Sequence, residues 1–368
     1  MSHHFDWPIP GVPGTMNQDV SDVHCFAGPS DNDGPRTVIG MNASPMDGAP
    51  WDPGCLYELK LDLNGDLVED ITWRFTFPPP DPVTNEPKYF QVAQLNGADA
   101  TSRTAPGMII TPPNAPVGEV LSVNDGIKIF AGKRRDSFFT DVRVPEAERS
   151  VLPPPKHESA DPGLGNLKML TDMPFLKQNV RLVMVELPAT ITGRDRIQCW
   201  GSTAIFDTGH GVWHQIQRAA GPDTAVVFDN GNAPYLTTIN STGPSADLAG
   251  RPNNPAIAAA KGVWGTLRDQ VAAVVEAKGT YDQGVNGRPT PKAYGAWVAD
   301  TLLPNVLRFT PGTTALWDPW NGVQNGKGLT EELASNFAKM ITNTDFSTGL
   351  TQPGDITPYF PYLAEPVD

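Results

Sequence analysis

Apolar and polar residues alternate most regularly over two neighbouring runs, Leu56–Leu61 and Asp70–Phe77. Tyr57, Leu59 and Leu61 share one parity in the first run; Ile71, Trp73, Phe75 and Phe77 share one in the second. With Asn64-Gly65 between them, the two runs predict a β-hairpin, and the prolines of Pro78–Pro80 end its second strand. Val20–Phe26 and Thr37–Met41 predict another pair across the polar turn Ser30–Pro35. Tyr89–Leu95, Val120–Val123, Ile127–Phe130, Arg196–Phe206 and His214–Arg218 continue the β pattern. Asn179–Leu187 is apolar on both parities, which predicts a central strand buried on both faces.

Past about residue 255 the apolar period changes from two to nearly four. Trp264, Leu267, Val271, Val274 and Val275 predict a helix within Pro255–Lys278. Tyr294–Leu307 predicts a second, interrupted at Pro304. Leu329–Thr342 predicts a third, with Thr330 as N-cap, Glu331 and Glu332 in its first turn, and Leu333, Phe337 and Met340 on one face. The aromatic tail Tyr359–Leu363 is expected to dock on the body. Together these elements predict a mainly β (α+β) fold as one large domain over residues 1–368. Its antiparallel sheets form a sandwich or open barrel, β-rich over 1–250, with the helices of 251–368 packed on one side.

Composition agrees with many short strands. Among 368 residues there are 38 prolines and 35 glycines, spread along the chain, beside nine Trp and fifteen Phe. The net charge of −14 repels phosphate backbones, so nucleic acid is not an expected partner. No apolar run approaches the roughly 20 residues that span a bilayer, so no membrane association is expected. The opening residues lack a basic stretch followed by an apolar one, and a cytoplasmic location is the expectation. Cys25, Cys55 and Cys199 are far apart and odd in number, which argues against a disulfide framework.

Candidate chemistry gathers near the start. His3, His4, Asp22 and His24 fall within two dozen residues of a chain that has six histidines. Imidazole and carboxylate together suit zinc, iron or copper. On a regular strand Asp22 and His24 share a face, with Asp19 opposite unless a bulge intervenes. Asp207, His210 and His214 form a second group, with glycine on both sides of His210. The expectation is that His3, His4, Asp22 and His210 converge on one divalent transition metal, with His24 or His214 as general base and Arg135 orienting a small-molecule substrate. The competing reading has Asp19 and Asp22 bonding loop amides and His210 capping a turn. Beside Arg135, the Arg134–Asp136 stretch pins a loop over Phe138-Phe139. Asp62, Asn64, Asp66 and Asp70 outline an oxygen-rich calcium loop, for which a plain Asn-Gly hairpin is the alternative. Dinucleotide, phosphate-loop, His-Glu-x-x-His and nucleophile-elbow motifs are absent.

Several segments, taken in order, resemble a bacterial domain-of-unknown-function family, number 4331. They are Ser2-His3-His4, the strand Asp19–Phe26, the hairpin Leu56–Phe75, Ala131–Asp141, Asn179–Pro188, Gln215–Arg218, Gly326–Thr330 and Phe360–Leu363. The series covers nearly the whole chain. His24 stands where the family pattern has Tyr, and Val20-Ser21 departs from its usual pair. The resemblance implies no activity. From the residues, the leading expectation is a metal-dependent enzyme that hydrolyses or hydrates a small, partly apolar molecule through metal-bound water. The alternatives are an iron- or copper-dependent oxidative enzyme, and a non-catalytic binding or structural protein whose N-terminal His/Asp arm is a clasp.

Overall fold

The computed structural model describes residues 16–32, 34–44, 49–138, 179–222, 233–252, 262–279, 288, 290–331, 333–343 and 356–367. These form a mainly antiparallel β structure with a few helices and no closed barrel. One sheet has the order β1-β2-β10-β9-β8, built from β1 (Val20–Ala27), β2 (Thr37–Ala43), β8 (Leu121–Ser122), β9 (Lys128–Arg135) and β10 (Asn179–Leu187). The other runs β12-β11-β3-β4-β5-β6. Its strands are β3 (Cys55–Asp62), β4 (Ile71–Thr76), β5 (Tyr89–Asn96), β6 (Met108–Ile109), β11 (Ile197–Asp207) and β12 (Val212–Ala219). The two-residue β7 (Ala115–Pro116) pairs with β5, and β13 (Leu307–Phe309) with β11, while β14 (Leu316–Asp318) and β15 (Val323–Asn325) pair with each other.

The local patterns account for these strands. The alternating residues Tyr57, Leu59, Leu61, Trp73 and Phe75 all enter one core with Val23, Ile39, Met41, Val183 and Val185 of the facing sheet. Strand β10 is buried along its whole length because Val183, Val185 and Leu187 enter the core between the sheets while Leu182 and Met184, on the other face, lie under Tyr362 and Leu363. Helices α1 (Ala189–Thr192), α2 (Ala233–Ser241), α3 (Val263–Lys278), α4 (Pro291–Leu302) and α5 (Ala334–Thr342) complete the described elements. The apolar stripe of α3 and the α4 residues Tyr294, Val298 and Leu302 join the same core.

One helix expectation needs correction, and one helix was not expected. α5 begins at Ala334, not after Thr330, because Glu331 turns back to accept N–H bonds from Gly328 (2.9 Å) and Trp317 (3.0 Å). α2 is absent from the periodicity reading. Its nine residues include Thr237, Thr238 and Ser241, all weak helix formers. Its stability comes from β12: Gln215 donates to Asn240 O (2.7 Å) and Thr242 O (2.9 Å), and Arg218 Nε donates to Ile239 O (2.9 Å). Those side chains satisfy carbonyls that a helix end otherwise leaves open.

Candidate functional site

The residues that carry the strongest chemistry lie on the outer face of the five-stranded sheet. A bulge between Val20 and Asp22 resets the alternation of β1. Val20, Val23 and Cys25 therefore all point into the core, while Asp22 and His24 point away from it. β1 is the edge of its sheet, and the segment around Lys327 covers that edge: Cys25 N donates to Lys327 O (3.0 Å), and Lys327 N donates to Cys25 O (2.8 Å). Gly326 makes this approach feasible. Its φ is +77°, and a Cβ there would lie 2.2 Å from Cys25 O. Once seated, Lys327 places its ammonium against Asp22 Oδ1 as a buried ion pair.

His24 is the next outward residue. Its Nδ1 lies 3.3 Å from Gly328 O, and its buried Nε2 has no hydrogen-bond partner among the described residues. Burial, reinforced by the neighbouring Lys327 charge and only partly opposed by Asp22, pushes its pKa down to about 3. A base that weak does not serve proton transfer near neutrality, so the expected role of His24 as general base has no support in its surroundings. Beside it on β2, Asn42 pairs in register with Asp22, and its buried amide oxygen and nitrogen both lack a partner among the described residues.

At the far end of the same face, Glu186 of β10 is ringed by cations. Arg36 Nε is 2.7 Å away and Lys128 Nζ 2.8 Å, and the Tyr362 hydroxyl donates to the same carboxylate. Tyr362 and Leu363 thereby dock the tail over Val38, Phe130, Leu182 and Met184. Arg134 lies 4.3 Å over the Phe130 ring and pairs with Glu365 at 3.0 Å. Arg135, expected to orient substrate, ends β9 with its backbone N–H donating to Ala364 O (3.0 Å). Asp136 accepts from Phe138 N (3.0 Å), in keeping with a loop-pinning role.

The remaining expected site residues lie elsewhere. His210 and His214 sit at the β11–β12 turn with side chains 81% and 57% exposed, and Asp207 Oδ2 is 2.7 Å from His210 Nδ1 and 3.6 Å from His214 Nε2. The Asp207 carboxyl is held below its ordinary range by the His210 hydrogen bond and by the Gly209 amide. The structure thus brings Asp207, His210 and His214 together. It does not bring His210 to Asp22, which is buried under Lys327 on the other sheet. His3 and His4 fall outside the described residues. In the predicted calcium loop, Asp62 accepts from the amides of Asn64 (3.0 Å), Gly65 (2.6 Å) and Leu67 (2.8 Å), and Asp70 from Leu63 (2.7 Å). Asn64 and Asp66 make similar short-range bonds to Asp66 N and Val68 N. These bonds fold the hairpin turn. Among the described residues, no three His, Cys, Asp or Glu side chains group so as to hold a metal ion.

Two buried charge clusters lie on the second sheet; Glu58 was not anticipated, and Arg218, legible as either an anion clamp or a structural pin, is a buried ion-pair partner. Glu58 meets Arg74 (2.8 Å) and Lys60 (3.4 Å) beneath the segment that supplies Ser102 O and Ala105 O to Arg74. Burial alone would raise the Glu58 pKa, but Lys60, Arg74 and Arg103 outweigh it and hold the carboxyl below its ordinary range. Arg218 and Asp247, both fully buried, pair at 2.6 Å and tie β12 to Asn305. The one available signal was charge at strand positions of the buried sheet. An open cleft of about 300 Å³ between α3 and α4, lined by Asp269, Glu276 and Lys292, contains none of the expected site residues.

No helix among the described residues is long and apolar enough to cross a membrane. Compared with known proteins, the chain matches no family model, no curated protein and no solved structure.

Proposed function

We propose that this chain is a non-catalytic binding or structural protein in which Asp22, His24 and Lys327 form a clasp between the first strand and the C-terminal region. The observation that carries the reading is the buried Asp22–Lys327 ion pair, which neutralises the carboxylate expected to bind metal. A carboxylate committed to an ammonium at its own oxygen is a poor metal ligand unless the pair opens. His24 supports the same reading, because its imidazole is neutral and enclosed. The domain-of-unknown-function family 4331 remains the proposed affiliation. Segments that carry that resemblance meet on this face: the Asp19–Phe26 strand with Gly326–Thr330, and Asn179–Pro188 with Phe360–Leu363. In this reading the shared segments define a way of closing a sandwich.

Elemental analysis of the untagged full chain, beside Asp22→Asn and His24→Asn, tests the proposal. The clasp reading expects no stoichiometric transition metal in any of the three and a lower melting temperature for Asp22→Asn. Stoichiometric metal in the parent chain that disappears from a still-folded Asp22→Asn variant would overturn it in favour of the metal-dependent enzyme.

A further inference from the structure

Strands β1 and β11 face each other across the core in step. Thr203 Oγ1 donates to Gln18 O (2.7 Å) at one end of the contact. Further along, a Cβ on Gly201 would lie 3.1 Å from Val23 Cγ2 and 2.5 Å from Met41 Sδ, so the missing side chain lets the sheets close together. One more step in the same direction places Cys199 opposite Cys25, both buried and both free, with the Cys199 thiol near enough to oppose ionisation of Cys25. A disulfide needs Cα atoms roughly 4.4–6.8 Å apart, nearer than the ~10 Å of ordinary stacked sheets, so the close approach that Gly201 allows is what a bond here requires. Cys55 is not part of this contact. It pairs in register with Ile205, at the other end of β11.

We infer that Cys25 and Cys199 are an oxidisable dithiol that closes to a disulfide joining the two sheets. The co-reactant is a small disulfide such as oxidised glutathione. One cysteine thiolate attacks it and expels the first small thiolate. The second cysteine thiolate attacks the protein sulfur of that mixed disulfide and expels the other. The protein pair loses two protons and two electrons, and the small disulfide leaves as two thiols. Both sulfurs are enclosed, and burial together with the neighbouring thiol pushes the Cys25 pKa up. Exchange therefore runs while the sandwich is open, during folding or global unfolding, and the closed fold then shields the bond.

The full chain is unfolded, refolded in a glutathione redox buffer, alkylated under denaturing conditions and mapped by peptide mass spectrometry. Before alkylation the expected product is two hydrogens lighter than the reduced chain; after it, the map should show one Cys25–Cys199 cross-link and one alkylated thiol at Cys55. Its melting temperature should exceed that of the same sample treated with dithiothreitol. Cys199→Ala should yield two alkylated thiols and no internal cross-link. If refolding fails, the same map on chain expressed in an oxidising compartment reads the same outcome. Three alkylated thiols in natively folded chain, or a bond that engages Cys55, would overturn the inference.

Discussion

Lys327 neutralises Asp22 in the interior although 305 residues of chain separate them. The contact does more than pair two charges. The backbone bonds between Cys25 and Lys327 occupy the free edge of β1 at Cys25, whose N–H and C=O would otherwise be open to another chain. A sandwich whose first strand is an edge strand needs such a cover, and the chain supplies it from its C-terminal region.

Gly326→Ala tests whether this cover depends on close backbone approach. An alanine Cβ would meet Cys25 O at 2.2 Å and the Phe309 ring at 2.8 Å, on a residue with φ of +77°. Left-handed backbone alone costs a non-glycine residue about 1–2 kcal/mol, and relief of the contact adds to that. Denaturant unfolding should show a loss of at least ~2 kcal/mol, with faster amide exchange at Cys25 and Lys327. An unchanged midpoint would mean that the segment is not seated as described.

His24 makes stability depend on pH with a definite sign. In the fold it stays neutral until pH falls to about 3, whereas an unfolded histidine takes up a proton near 6.5. Between those values the unfolded chain binds more protons. Stability therefore falls as pH is lowered from about 6.5 and is indifferent to His24 above that. His24→Asn removes the titration and keeps a donor toward Gly328. The stability difference between parent and variant should change by up to about 1.4 kcal/mol per pH unit across this window. Parallel pH profiles would contradict the enclosed, neutral imidazole.

The Asp62 turn is held by its own amides. Asp62→Ala deprives the Asn64, Gly65 and Leu67 N–H groups of their acceptor. Loss of a buried acceptor costs about 1–3 kcal/mol, which thermal or chemical denaturation resolves. Because the carboxylate is already committed, millimolar calcium should leave the melting temperature of the parent chain nearly unchanged. A calcium-dependent rise of several degrees that disappears in Asp62→Ala would instead identify the turn as a cation site.

The strands were legible because their signal is local. The Leu56–Leu61 and Asp70–Phe77 alternation and the apolar Asn179–Leu187 run each declare a strand from their own residues. α2 was not legible, since its carbonyl caps come from Gln215 and Arg218 on β12. The start of α5 was misplaced because Glu331 serves loop amides rather than a first helical turn. The candidate site divides the same way. Asp22 and His24 stood out as residue types, and their shared face followed from strand geometry. Their surroundings did not, because Lys327 arrives from beyond the second sheet and a Gly-Lys-Gly stretch carries no sign of which carboxylate it will meet. Asp207, His210 and His214 were legible as a group because one hairpin, the end of β11, its turn and the start of β12, holds all three.

The most direct test of the clasp is a double-mutant cycle between Asp22→Asn and Lys327→Met, read by denaturant unfolding at neutral pH. Breaking a buried ion pair from one side costs about 3–5 kcal/mol, because the partner charge is left enclosed and unpaired. The account predicts that the double variant recovers part of that loss, with a coupling energy of about 2–3 kcal/mol. Single-variant losses that add to within about 0.5 kcal/mol would contradict it, since Asp22 and Lys327 would then not depend on each other.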